Sequence, residues 1–333
     1  MGDLIDWNHI AGLGAADIAN FGDPRREFEA ARSGAAVTPV IHFDLLRFHG
    51  KDARTFLQGQ LTCDLDQVNT EQTQFGGYCT PKGRLLANFM LLASPQGYLM
   101  QLPADISASV ADRMRKFVLR SDVRIEHGNG PRMLGLAGPD AAALLKQELG
   151  AVPPQRMLSM EFDARASLVR LPGDSFLVLA AANQMAGLWN ALARHAVAAG
   201  VECWNWMQIE AGMPWITAPT QDQFLPQMIG LDSMGGVSFD KGCYTGQEIV
   251  ARTHYLGEVR RKLRLGRTRA AVHAGDALMT DGQQRGTVLN AAAIPGDGWA
   301  LLAVVSEQAD ERTVQIASGE SVDLSAPPGS LAG

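Results

Sequence analysis

Hydrophobic and polar positions along the chain predict strands that come in groups separated by single helices. Apolar runs broken by turn residues predict strands, as in residues 84–93, which follow the turn at residues 81–83. Apolar residues spaced three to four apart predict an amphipathic helix over residues 106–118, with Asp105 as its N-cap. This grouping is typical of an α+β fold with mainly antiparallel sheets.

Boundary residues predict further helices. Asp23 and Pro24 suit the N-cap and first turn of a short helix that ends near Gly34. A helix is predicted over residues 139–150, and another from about 184 to 199. After Gly257 the helical spacing disappears and short apolar runs alternate with glycine-rich turns, which predicts a small all-β barrel or sandwich.

Composition and charge narrow the class of protein. The chain has 333 residues, of which 46% are hydrophobic and 19% charged, and this balance is typical of a globular protein of two or three packed units. A net charge of -6 argues against a general nucleic-acid coat protein and against direct nucleic-acid binding. The N-terminal segment lacks a basic start and a long apolar core, and no apolar run could span a membrane, so we expect a cytoplasmic protein.

The cysteines do not form a local metal site, because none of the four belongs to a CxxC pair. Cys243 differs from the others because it lies in a glycine-rich stretch beside Lys241. A neighbouring cation favours a reactive thiolate, but a small buried thiol in a tight turn explains the pattern equally well. A Cys/His pair with His254 is a further hypothesis, since that residue follows eleven positions later.

A second unusual stretch holds three of the six tryptophans within residues 204–215, around the carboxylate of Glu210. The rings can belong to the core. Alternatively, they can flank a flat heterocycle such as a pterin, whose adjacent N–H donors a carboxylate would accept. Residues 241–270 carry eight basic and two acidic side chains, a local charge of +6. That segment suits a solvated face, the anionic tail of a ligand, or RNA contact.

The run KGCYTGQEIVAR, together with the preceding LDSMGGVSFD, resembles the signature of the YgfZ family, which is related to the T-protein (aminomethyltransferase) of the glycine cleavage system. Three further blocks support the resemblance: IEAGMPW, FLQGQLTCDL and YCTPKGRLLANF. The resemblance implies a three-lobed ring of two ferredoxin-like α+β lobes and a C-terminal β-barrel around a channel for tetrahydrofolate. We therefore expect an N-terminal extension with a short helix over residues 1–34, a T-protein-like folate-binding region over 35–256, and a barrel over 257–333.

The resemblance also implies roles for particular residues. Cys243 and Lys241 would form the functional centre, and Cys243 could supply one ligand to a transient iron–sulfur cluster, with no resident metal. The implied partners are folate and iron–sulfur enzymes or their assembly proteins, with effects on tRNA thiomodification. The residues that the resemblance assigns to folate are Glu210, Trp204, Tyr244, Arg252 and Phe43, the last of which stands where the family has a tryptophan.

One departure from T-proteins bears on catalysis. T-proteins place a catalytic aspartate in the strand after the glycine turn, but residues 84–88 contain no carboxylate. Without it, charge that develops on the folate nitrogen during aminomethyl transfer lacks its partner. A folate-dependent aminomethyl or one-carbon transferase is therefore the alternative function, a Cys/His hydrolase or transferase is the third, and whether the chain catalyses a step stays open.

Overall fold

A computed structural model describes residues 18–128, 130–150, 156, 158–162, 165–309 and 313–328 of the protein. The helices are α1 (Pro24–Ser33), α2 (Ala53–Gln58), α3 (Ala104–Val118), α4 (Ala141–Leu149), α5 (Ala182–Leu192), α6 (Val201–Glu210) and α7 (Gln247–Leu256). The strands are β1 (Ala36–Pro39), β2 (Phe43–His49), β3 (Gln74–Cys79), β4 (Leu85–Ser94), β5 (Gly97–Pro103), β6 (Arg124–His127), β7 (Arg132–Ala137), β8 (Met160–Phe162), β9 (Ser167–Leu171), β10 (Ser175–Ala180), β11 (Val197–Ala198), β12 (Arg261–Thr268), β13 (Ala277–Thr280), β14 (Gln283–Ile294), β15 (Gly298–Ser306), β16 (Gln315–Ile316) and β17 (Asp323–Ser325).

These strands form three sheets. The first sheet has the order β3-β4-β5-β2-β6 and the second has the order β11-β1-β7-β10-β9-β8. The third sheet, β16-β13-β14-β15-β12-β17, contains all the strands after residue 257. Pairing is antiparallel except between β1 and β11. The predicted α+β class with mainly antiparallel sheets is confirmed.

One large hydrophobic core joins the first sheet, α6 and part of the third sheet. Helix α6 lies at its centre and packs on both the second sheet and strand β14. Successive residues of a helix are turned by about 100°, so side chains on different faces of α6 meet different sheets.

Local signals predicted the helix boundaries well only where neighbouring residues supply the caps. Helix α1 begins and ends as predicted, and the Asp23 carboxylate accepts the backbone N–H of Arg26. The expected N-cap of α3 is wrong: the helix begins at Ala104, and the carboxylate of Asp105 accepts the N–H of Ala218 instead. Helix α5 ends at Leu192, because residues 193–196 form a turn and residues 197–198 form β11 beside β1 instead of continuing the helix.

Candidate functional site

A cavity of about 500 Å³ lies where the first sheet, α6 and the third sheet meet. One wall comes from the start of β2 and the start of α3, and a second comes from α6 and the segment that follows it. The third sheet closes the cavity with residues of β14 and β15 and with the segment before β13. Its volume and its mixture of apolar and polar walls are typical of a small-molecule site.

Aromatic rings form the inner wall of the cavity. Phe43 meets Trp215 edge-on with 4.8 Å between ring centroids, and His42 packs edge-on against Phe43 at the same centroid distance. Phe75 supports Trp215 from the core at 6.1 Å. Of the residues that the resemblance assigns to folate, Phe43 is the one that lines this cavity.

The backbone around Trp215 is held by two asparagine side chains from different sheets. Asn290 of β14 accepts the N–H of Trp215 at 2.8 Å and donates to its carbonyl oxygen at 2.9 Å. Asn88 of β4 donates to the carbonyl of Pro214 at 2.8 Å and accepts the N–H of Ile216 at 2.7 Å. Four hydrogen bonds within three residues fix the position of the indole ring in the wall.

Several polar atoms in the cavity wall have no hydrogen-bond partner within the described part of the chain. Among them are Nε2 of Gln208, Nε1 of Trp215 and the ring nitrogens of His42, which lies beside the Asn205 side chain without a well-formed hydrogen bond to it. Burial lowers the pKa of His42 to about 4, an effect that the neighbouring Asn205 side chain partly opposes. The imidazole is therefore neutral at pH 7 and offers one donor and one acceptor.

Trp204 and Glu210 lie elsewhere. The ring of Trp204 is 3% exposed and packs on Gly135 of β7, between α6 and the second sheet. Glu210 forms an ion pair with Arg267 of β12. Neither residue lines the cavity: Trp204 precedes Gln208 by one turn of α6 and packs on the second sheet, whereas Glu210 projects from another face of the helix.

The first six residues of the KGCYTGQE segment form a separate loop against the edge of the first sheet, and the last two begin α7. The ammonium group of Lys241 is partly buried and donates to the carbonyl oxygens of Leu61 at 2.9 Å and Cys63 at 2.7 Å. Burial lowers the pKa of Lys241 to about 8. Lys241 thus ties the loop down, while Cys243, two residues later, is exposed to solvent.

The companions of Cys243 in the loop and helix differ in exposure. Tyr244 is buried, burial raises the pKa of its phenol, and its hydroxyl has no partner among the described residues. Arg252 is exposed on α7. No hydrogen bond joins Cys243 to His254, although both are described; the imidazole stacks on Phe239 with 3.8 Å between centroids.

The other three cysteines are buried. Burial raises the pKa of Cys63, Cys79 and Cys203 to about 12 each. A thiol with so high a pKa holds almost no thiolate at pH 7 and reacts slowly. Of the four, Cys243 alone is exposed to solvent.

Several residues that build the cavity give no signal in the sequence. Gln208 and His42 carry no motif signal, and Asn290 lies in a β segment more than seventy positions beyond Trp215.

Within the described ranges, no group of three or more His, Cys, Asp or Glu side chains could hold a metal ion. Nor does any described helix have the length and apolar character needed to cross a membrane.

Comparison with known proteins decides the family. The model of the GCVT N-terminal domain matches residues 19–241. The chain is 32% identical to the tRNA-modifying protein YgfZ of Klebsiella pneumoniae (strain 342) over 289 residues, which cover 85% of this chain and 88% of that protein. The chain belongs to the YgfZ family. A second YgfZ relative, the tRNA-modifying protein of Edwardsiella ictaluri (strain 93-146), is 33% identical over 77% of this chain and 80% of its own length.

The fold of this YgfZ-family chain is similar to that of a T-protein. The glycine cleavage system aminomethyltransferase T from Bartonella henselae superimposes with a TM-score of 0.76 at 18% identity, covering 91% of this chain and 88% of that one. At this identity the comparison shows a similar fold and nothing about activity. The α+β, T-protein-like fold that the resemblance implies is confirmed.

Proposed function

We propose that this YgfZ-family protein binds tetrahydrofolate, or a one-carbon derivative of it, and assists iron–sulfur enzymes that modify tRNA. Family membership carries the proposal, because the relatives that match most of the chain are named as tRNA-modifying proteins. The folate would occupy the cavity around Phe43 and Trp215, and Cys243 would act at the surface.

The residues of the cavity suit a folate. A volume of about 500 Å³ is within the range for cofactor sites, and the rings of Phe43 and Trp215 offer apolar surface to a flat heterocycle. Gln208 and His42 add buried polar atoms that lack partners in the described protein. A bound folate would supply a one-carbon carrier, and these residues would hold its heterocycle away from water.

Cys243 suits work on a partner rather than on a closed site. Its side chain is exposed, and Lys241 anchors the loop through two carbonyl groups. A cluster normally needs about four thiolate ligands, so a cluster handled here as cargo would take its other ligands from a partner molecule. The exposed position leaves room for that partner.

The likeness to an aminomethyltransferase does not extend that activity to this chain. Asn88, the polar residue in the strand that carries the T-protein aspartate, is a neutral amide engaged with the backbone of Pro214 and Ile216. It offers no negative charge to a developing cation on folate.

Complementation tests the proposed function. Cells that lack the protein would receive wild type, Cys243→Ser, or Cys203→Ala as a control in which a buried thiol is removed. We expect wild type and the control to restore both the activity of a tRNA-modifying iron–sulfur enzyme and the level of the modified nucleoside. Cys243→Ser should restore neither at equal protein abundance. Full rescue by Cys243→Ser would remove the thiol from the mechanism.

A further inference from the structure

We propose that Gln208 and Trp215 form a hydrogen-bond-donating subsite, which binds the accepting edge of a flat heterocycle in the cavity. The proposal rests on the proposed folate binding and names the residues that would recognise the ligand. It differs from the expectation drawn from the sequence, which was that the carboxylate of Glu210 accepts hydrogen bonds from the ligand.

Both side chains are buried with an unused donor. Gln208 is 3% exposed and Trp215 is 6% exposed, yet Nε2 of the first and Nε1 of the second have no partner within the described ranges. Buried donors are almost always paired in folded proteins, because an unpaired one loses its hydrogen bonds to water without replacement. Gln208 and Trp215 both line one cavity of about 500 Å³, so their unpaired donors point to a ligand that enters the cavity and accepts from both.

The indole donor is held in place in advance. Asn290 and Asn88 bind the backbone on both sides of Trp215, and Phe43 and Phe75 meet its ring edge-on. The ring is thus clamped from two sheets and cannot easily turn to find another acceptor. A donor fixed before binding costs little conformational entropy when the ligand arrives.

The polarity of the wall determines which edge of the ligand it recognises. Glu210, the carboxylate that could accept from N–H groups of a ligand, is paired with Arg267 and lies outside the cavity. His42 is neutral and supplies one donor and one acceptor. The carboxylate of Asp105 also belongs to the wall, but it is exposed and accepts the N–H of Ala218. The buried, unpaired nitrogens of Gln208 and Trp215 are donors, and they match a ring carbonyl or an unprotonated ring nitrogen, such as those of a reduced pterin.

Binding of tetrahydrofolate to purified variants tests the subsite. Calorimetry would give the Kd of wild type, Gln208→Leu, Trp215→Phe and Glu210→Gln. We expect Gln208→Leu and Trp215→Phe each to weaken binding about tenfold, because the ligand acceptor loses its donor while the apolar wall stays. Glu210→Gln should change the Kd by less than about twofold.

Stability of the free protein separates this role from a structural one. Since Gln208→Leu removes an unpaired buried amide, its midpoint of thermal unfolding without ligand should equal or exceed that of wild type. If Gln208→Leu and Trp215→Phe both fold and bind tetrahydrofolate with the Kd of wild type, the subsite is refuted and the proposed function stays intact. A tenfold loss in Glu210→Gln alone would assign recognition to that carboxylate, and wild type that does not bind would overturn both proposals.

Discussion

Gly135 on β7 lies directly against the indole ring of Trp204. A Cβ atom at Gly135 would lie 2.2 Å from the nearest atom of the indole ring, more than 1 Å closer than the 3.4 Å at which ordinary contact begins. The backbone of Gly135 pairs with both β1 and β10, so the strand has little freedom to move away. We expect Gly135→Ala to lower the free energy of unfolding by about 1–3 kcal/mol, the usual cost of overpacking a core.

Urea unfolding followed by circular dichroism measures this change, and Gly187→Ala is a matched control. Gly187 lies exposed on α5 with nothing within 4 Å of a new Cβ, so alanine there should stabilise the protein by about 0.5–1 kcal/mol. Trp204→Leu should restore part of the stability of Gly135→Ala, because the two sites are in contact and their effects are coupled. Unchanged stability of Gly135→Ala would mean that Trp204 is free to move, and that its assignment to the core is wrong.

Three further predictions concern the loop and the cavity. A thiol reagent should modify one cysteine quickly in the native protein, and Cys243→Ser should abolish that fast phase; several fast thiols would contradict the buried positions of the others. Because the pKa of Lys241 falls from 10.5 to about 8 on folding, the unfolded chain holds more protons between these values. The stability of wild type relative to Lys241→Met should thus rise from pH 8 to 10, and a fall would refute the assigned burial. Asn290→Ala removes two hydrogen bonds to Trp215 and should destabilise the protein by about 1–3 kcal/mol in thermal unfolding, whereas an unchanged midpoint would show that the clamp is dispensable.

Prediction from the sequence worked where the cause is local. Helix α1 follows from Asp23 and Pro24, and strand β4 from an apolar run after a turn, because capping and side-chain alternation act between near neighbours. It failed for α5, whose predicted last turn is replaced by strand β11. The energy of pairing with a distant strand decided that segment, and no local pattern reports it.

The tryptophan-rich stretch shows the same limit within the candidate site. The sequence marks Trp204 and Trp215 alike, yet the first packs on a sheet as core and the second lines the cavity. Glu210 is close to both tryptophans in the sequence, but it forms an ion pair with Arg267, which belongs to the third sheet. Which side of α6 faces a ligand follows from how three sheets pack around it.

The sequence by itself determined the family, the α+β class and the separate character of Cys243, because these depend on motifs, periodicity and residue chemistry along the chain. The tertiary structure decided that Cys243 is exposed and that Lys241 donates to two carbonyl groups. It also decided that Gln208 and Trp215 line a cavity and carry buried donors with no partner among the described residues. Exposure and hydrogen-bond satisfaction are properties of packed surroundings, and those surroundings come from residues tens to hundreds of positions apart.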